Sequence, residues 1–181
     1  MSSVENKLLE ETEEESIPTF EHGMICSRLI RHLGNYLDGK GLGEVVDSTP
    51  EYRFLARKLK KPGRYPDVSF VRQERLPADV RSYPEIAPDL AIEVASPSDR
   101  DYDIEAKVSE YQKFGVSLVW VIHPFSRTVE VYRRENGLKS QKLIGDDELD
   151  GEIVLPGFKL KVSRIFDYPP PPVALDEAIS D

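Results

Sequence analysis

The sequence predicts a mixed α/β (α+β) domain in which helices flank a β-sheet. The prediction rests on a strand–helix–strand unit at residues 88–122 and on shorter strand-like segments before and after it. A buried-looking strand at 89–95 precedes a helical stretch that Gly115 ends, and the apolar run 116–122 follows. Elements in this order predict two parallel strands joined by a right-handed crossover.

The length of 181 residues suits one domain with a substantial core. We divide the chain into an acidic, disordered or frayed arm (1–20), the folded domain (21–166) and a Pro-rich, acidic tail (167–181). The formal net charge is −9, made of −6 in residues 1–22, +3 in 23–145 and −6 in 146–181. The acidity therefore lies at the two ends and does not exclude a nucleic-acid partner.

Several classes of protein are disfavoured. The longest apolar run has only the length of a strand and the N-terminus is acidic, so neither a membrane span nor a secretory signal is expected. Cys26 is the single cysteine, which excludes an internal disulfide. The sequence contains no glycine-rich phosphate loop, so a nucleotide cofactor is not expected. A cytoplasmic protein without a membrane partner is the expectation.

The remaining elements follow from periodicity and turn signals. A helical pattern runs from about Glu21 to Leu37. The basic residues at 57–61 predict a turn, which is either solvated or in contact with phosphates. The acidic segment 146–151 predicts a solvated turn. Strands are predicted at 44–48, 52–56, 64–71, 128–133 and 138–144.

Two carboxylates interrupt the strand at 89–95. Asp89 and Glu93 lie four residues apart, so both side chains leave the same face of a strand. Burying them is costly unless each meets a metal or another cation. Asp89 has two possible roles, since it either holds the start of the strand or supports a site around Glu93.

The helix that follows brings a cation towards this strand. Ser98 or Asp99 is the expected N-cap. Lys107 lies within the apolar stripe, about 10 Å along the helix, which places it level with Glu93. Tyr111, one turn from Lys107, is a core residue or a supporting residue of a site. The stripe consists of Ile104, Val108, Tyr111 and Phe114.

A second acidic residue is expected to join Glu93. Pro66-Asp67 opens a strand that we expect to pair with 89–95, which would bring Asp67 near Glu93. Carboxylates beside a lysine favour a hard cation, Mg²⁺ or Mn²⁺, whereas His22, His32 and His123 lack the ligand spacing of a zinc site.

The start of the first predicted helix offers one more ligand. Glu21 and His22 stand there, and either one of them completes the metal site or both simply occupy an exposed helix N-terminus. A carboxylate-bound cation with a neighbouring lysine can polarise a phosphoryl oxygen, activate water and stabilise the charge that develops on phosphorus. These are the groups that metal-dependent hydrolysis of a phosphodiester requires.

The motifs resemble the Uma-type family of restriction endonucleases, in the PD-(D/E)xK nuclease superfamily. The resemblance rests on Pro66-Asp67, on Pro88-Asp-Leu-Ala-Ile-Glu-Val-Ala-Ser-Pro-Ser98, on Lys107 and on the segments around 115–122 and 129–132. It runs from about His22 to Phe158. It implies the restriction-endonuclease-like fold, Mg²⁺ dependence, DNA as substrate and, by analogy, a homodimer.

The resemblance also assigns roles. It places Asp67 and Glu93 as the two acidic ligands and the main-chain carbonyl of Val94 as a third. The superfamily lysine would fall at Ala95, and in this family it is thought to have moved onto the following helix, which matches Lys107. The usual N-terminal hairpin of the family is replaced by the acidic arm.

The sequence is compatible with three functions. The first is a metal-dependent endonuclease that hydrolyses DNA. The second is a catalytically silent, nuclease-derived module for DNA binding or protein assembly, in which Glu93 and Lys107 form a structural ion pair. The third is an enzyme acting on a small phosphate or carboxylate substrate, which a closed pocket would favour over an open groove.

Overall fold

The computed structural model describes residues 18–54, 63–97 and 99–170. The predicted N-terminal arm up to residue 17, the basic segment 57–61 and most of the C-terminal tail lie outside these ranges. Within them the elements run in the order α1 (Phe20–Leu37), β1 (Gly43–Asp47), β2 (Val68–Arg72), β3 (Leu90–Val94), α2 (Asp101–Lys113), β4 (Leu118–His123), β5 (Thr128–Arg133), β6 (Ser140–Ile144), β7 (Glu148–Asp150) and β8 (Lys159–Lys161).

A six-stranded mixed sheet with the order β1-β2-β3-β4-β5-β6 forms the centre of the fold. Strands β3 and β4 are parallel, and all the other neighbouring pairs in this sheet are antiparallel. The parallel pair is the one joined through α2, so the predicted strand–helix–strand unit is confirmed. The predicted mixed sheet flanked by helices is confirmed as well.

The sheet buries both of its faces. Leu90, Ile92 and Val94 of β3 pack in one core with Ile25 and Leu29 of α1. The C-terminal segment closes this core with buried side chains at Leu155, Phe158, Val162 and Ile165.

Helix α2 packs against the opposite face of the sheet. Ala91 of β3 lies in a second core, which it shares with Ile104, Val108 and Tyr111. Because side chains alternate along a strand, Glu93 points to the same side as Ala91. The predicted stripe of α2 is therefore the surface that faces Glu93.

The helix ends follow local chemistry. Thr19 is the N-cap of α1, and its Oγ1 accepts a hydrogen bond from the backbone N–H of His22 (3.2 Å). The prediction of Asp99 as the N-cap of α2 is wrong. The N-cap is Arg100, whose side chain makes no capping hydrogen bond. The Asp99 carboxylate instead accepts a hydrogen bond from the backbone N–H of Ser96 (2.7 Å). Gly115, with φ +105°, follows the end of α2, as predicted.

Two of the predicted elements need correction. Residues 52–54 form no strand: Tyr52 makes only an isolated bridge to Arg64. The segment 146–151 is not simply a solvated turn, because Glu148–Asp150 pairs with Lys159–Lys161 and buries Leu149. Among the described residues, no helix is both long enough and apolar enough to cross a bilayer.

Candidate functional site

Glu93 is a buried carboxylate that faces α2. Its Oε2 accepts a hydrogen bond from the Lys107 ammonium (3.1 Å), and its Oε1 accepts one from the Tyr111 hydroxyl (2.6 Å). Both donors come from α2, one turn apart, which is the spacing that puts two side chains on one face of a helix. The predicted convergence of strand carboxylate and helix lysine is therefore observed.

The surroundings of Glu93 shift the pKa values of Glu93, Lys107 and Tyr111. Burial raises the pKa of Glu93, and the Asp67 charge raises it further, although the Lys107 ammonium opposes the shift. For Lys107, burial acts to lower the pKa, but the Glu93 carboxylate outweighs burial and the pKa is raised. Burial and Glu93 hold the pKa of Tyr111 well above its ordinary value. At neutral pH Lys107 is thus a cation and Tyr111 a neutral donor.

Asp67 stands just before β2. The antiparallel register pairs Val68 with Ile92, so Asp67, one residue earlier, comes opposite Glu93. The Asp67 carboxylate is fixed by the backbone N–H of Val94, which donates to Oδ2 (2.7 Å). The two predicted acidic residues therefore occupy neighbouring strands at the same level of the sheet.

His22, near the start of α1, contacts the Asp67 carboxylate. Its Nε2 lies 3.2 Å from Asp67 Oδ1, and its Nδ1 lies 3.6 Å from the Sγ of Cys26, one helical turn away. The ligand atoms of His22, Cys26 and Asp67 all lie within 4.8 Å of one another. Burial and the nearby Asp67 raise the pKa of Cys26 to about 12, so this thiol is protonated at neutral pH. Imidazole and thiolate donors suit Zn²⁺, whereas the Asp67 carboxylate also suits Mg²⁺.

Asp89 and Glu21 take other positions in the structure. Asp89 lies at the opposite end of β3, where it is buried and bound by Arg72 and Arg75. Glu21 lines a cleft next to His22, and its carboxylate contributes, after burial, to a raised pKa of Tyr168. The placement of Asp89 favours its structural role over a supporting one. The carbonyl of Val94 as a metal ligand stays a prediction.

Sequence reasoning missed two features. His22 was one of the two residues expected to complete the site, and it does contact Asp67, but its pairing with Cys26 at i, i+4 was missed when His22 was said to lack ligand spacing. The ion pair of Arg64 with Glu110 of α2 was also missed. Arg64 lies before β2, where no periodic pattern signals its partner.

A profile of the Uma2 family, described as "Putative restriction endonuclease", matches residues 5–163. The match covers most of the sequence. The chain belongs to the Uma2 family. Membership confirms the resemblance that the motifs around Asp67, Glu93 and Lys107 indicated.

Solved structures agree with the family at the level of the fold. The Uma2 chain is similar to the crystal structure of a putative nuclease belonging to DUF820 from Anabaena variabilis, with a TM-score of 0.70 and 19% sequence identity. The similarity covers 83% of this chain and 82% of that one. At this identity the likeness establishes the fold. No curated protein matches the sequence.

Proposed function

We propose that this Uma2 protein is a metal-dependent endonuclease that hydrolyses phosphodiester bonds in DNA. The observation that carries the proposal is the buried Glu93 carboxylate, held by Lys107 on one side and placed opposite Asp67 on the other. The family description supports nuclease chemistry. The Coulombic repulsion between the two acids would be relieved by a divalent cation.

The donor set fits Mg²⁺ or Mn²⁺. Each carboxylate oxygen has two lone pairs, and each oxygen of Glu93 uses one of them for Lys107 or Tyr111. Free lone pairs therefore remain on both acids, and oxygen ligands are those that these hard cations prefer. Asp67, Glu93 and the carbonyl of Val94 would hold the ion. When bound, the ion supplies Lewis-acid polarisation of the phosphoryl oxygen and a lower pKa for an attacking water.

The protein groups orient these acids and add positive charge. The Val94 N–H and His22 fix the direction of the Asp67 carboxylate. Tyr111 holds Glu93 through a neutral hydroxyl, so it positions the carboxylate without cancelling its charge. The Lys107 side chain is more than one-third exposed, so its ammonium can turn towards a substrate phosphate or orient the attacking water.

DNA is the proposed substrate, and a homodimer the proposed state in solution. Residues 23–145, which contain the acids and Lys107, carry a net charge of +3 although the whole chain carries −9. This segment is compatible with a polyanion, whereas the ends are not. Light scattering on the purified protein would determine the oligomeric state.

A second candidate function is a silent module derived from a nuclease. It is favoured by the fact that both oxygens of Glu93 already accept hydrogen bonds from the protein. In that case the contact of Glu93 with Lys107 is a structural ion pair. The two candidates differ in one measurable respect, which is metal-dependent cleavage.

The test is a cleavage assay on supercoiled and linear DNA with Mg²⁺, Mn²⁺ or EDTA. We expect nicking that requires the metal and that falls by about 10²- to 10³-fold in Lys107→Ala. Lys113→Ala is the matched control, because Lys113 is an exposed lysine on the same helix. Circular dichroism verifies that both variants are folded. Absence of cleavage with any metal, or equal cleavage by Lys107→Ala, would reject the endonuclease proposal.

A further inference from the structure

A cleft of about 300 Å³ lies beside the candidate metal site. It is bounded by the start of α1 and by the turns that follow β3 and β4. Ala95, Pro97, Pro124 and Phe125 give it an apolar wall. His22 belongs both to this cleft and to the contact with Asp67, so the cleft opens next to the proposed cleavage site.

Phe125 is the most conspicuous group at the cleft. Its side chain is fully exposed (103%) although it is a large aromatic residue. It stands on a tight turn, in which Arg127 N–H donates to the Pro124 carbonyl (3.1 Å) and the hydroxyls of Ser126 and Thr128 lie 2.9 Å apart. The turn therefore presents the ring to solvent. An exposed ring at the edge of an apolar cleft is suited to stacking.

A cation accompanies the ring. Arg127 is exposed, two residues after Phe125, and its guanidinium lies 5.6 Å from the centre of the Tyr168 ring. Tyr168 also contacts Arg28 of α1 from 5.3 Å, which ties this turn to the first helix. An aromatic ring beside a cation is the combination with which proteins bind single-stranded nucleic acid, the ring for a base and the cation for a phosphate.

We propose that the cleft receives one unstacked base of the DNA strand whose phosphate lies at Asp67 and Glu93. The base stacks on Phe125, and Arg127 contacts a flanking phosphate. A base within an intact duplex is stacked on its neighbours and cannot enter, so the protein prefers single-stranded or locally opened DNA. This inference rests on the proposed function for the identity of the ligand, and it adds the form of DNA that the site accepts.

Binding without cleavage tests the inference. Fluorescence anisotropy in Ca²⁺ compares a labelled single strand with the same sequence as a duplex. We expect Phe125→Ala to weaken single-strand binding about 5- to 100-fold, with much less effect on the duplex, and Phe125→Tyr to restore it. Ile153→Ala is the matched control, because Ile153 is also an exposed apolar side chain (85%), on the segment between β7 and β8.

A spectroscopic readout tests stacking directly. Trp120 is the single tryptophan and is fully buried, so Phe125→Trp introduces the one exposed indole. Stacking with a base should quench this indole when the single strand is added, and Ile153→Trp should not respond. The inference is overturned if wild type shows no preference for the single strand, if Phe125→Ala binds it as well as wild type, or if the indole is not quenched.

Failure of the inference and failure of the proposed function look different. Metal-dependent cleavage of duplex DNA that Phe125→Ala leaves unchanged would keep the nuclease and reject the base-binding cleft. Phe125-dependent binding of a single strand without any cleavage would keep the cleft and reject the nuclease. The binding measurements do not depend on a chemical step.

Discussion

The two ends of β3 each bury a carboxylate, but in opposite electrostatic settings. At the start of the strand, Asp89 accepts hydrogen bonds from Arg72 Nε (2.9 Å), Arg75 Nη1 (2.6 Å) and the Arg72 backbone N–H (3.0 Å). At the other end, Glu93 meets one ammonium and one neutral hydroxyl, while Asp67 adds a second negative charge nearby. The first carboxylate is surrounded by cations and the second is not.

This difference supports a structural role for Asp89 and the proposed metal-binding role for Glu93. Two guanidinium groups and a backbone N–H satisfy Asp89, which thereby ties the loop after β2 to the start of β3. At Glu93 burial is the main cause of the raised pKa and the Asp67 charge adds to it, so the ionised carboxylate is less favourable in the folded protein than in water. An unfavourable arrangement of this kind is typical of a site that binds a cation.

The largest expected contrast is in stability. Asp89→Asn should lower the free energy of unfolding by about 3 kcal/mol, because it leaves two arginines without their buried anion. Glu93→Gln should cost less than about 1 kcal/mol, since it removes a buried charge and Lys107 can be hydrated. Urea denaturation of both variants at neutral pH measures the difference. Equal losses would contradict the contrast between the two ends.

Divalent cations should stabilise the protein by binding at the Glu93 end of β3 and not at the Asp89 end. At a Mn²⁺ concentration about 100 times the Kd, wild type should gain about 2.7 kcal/mol, which corresponds to several degrees in Tm. Asp67→Asn and Glu93→Gln should lose most of this gain, and the distant Lys113→Ala should keep it. Differential scanning fluorimetry with Mn²⁺, Mg²⁺ and EDTA gives the values. A gain that survives in Glu93→Gln would place the cation elsewhere.

The smallest expected effect is a dependence of stability on pH. Burial raises the pKa of Glu93 above its ordinary 4.5, so the folded state binds this proton more tightly than the unfolded chain does. The stability contributed by Glu93 is therefore present below about pH 4.5 and is lost as the pH rises through the folded pKa. Relative to Glu93→Gln, wild type should become less stable as the pH rises from about 4 to about 8. A difference that does not change with pH would contradict the raised pKa.

Periodicity and chain geometry predicted the central unit well. Residues Leu90–Val94 lie in the strand and Asp101–Lys113 in the helix, as the apolar patterns indicated. The height of Lys107 followed from the rise per residue in helix and strand, and the observed 3.1 Å to Glu93 agrees with it. These features are set by local repeats, which a single sequence displays.

Contacts between distant segments could not be predicted in the same way. His22 and Asp67 are separated by 45 positions, and their contact depends on how α1 packs across the sheet. The partners of Asp89 are Arg72, the last residue of β2, and Arg75, in the turn that follows, and no periodic pattern marks either of them. The height of Lys107 and the family resemblance already singled out Glu93 in the sequence, but the two arginines that hold Asp89 were not foreseen.

The most direct test of the metal site is an anomalous difference map from crystals grown with Mn²⁺. We predict a peak at bonding distance from the carboxylates of Asp67 and Glu93 and from the carbonyl of Val94, with the Lys107 ammonium alongside. Crystals of Glu93→Gln should lack this peak. A map in which the Mn²⁺ lies away from both acids, or in which no peak forms at saturating Mn²⁺, would contradict the proposed metal centre.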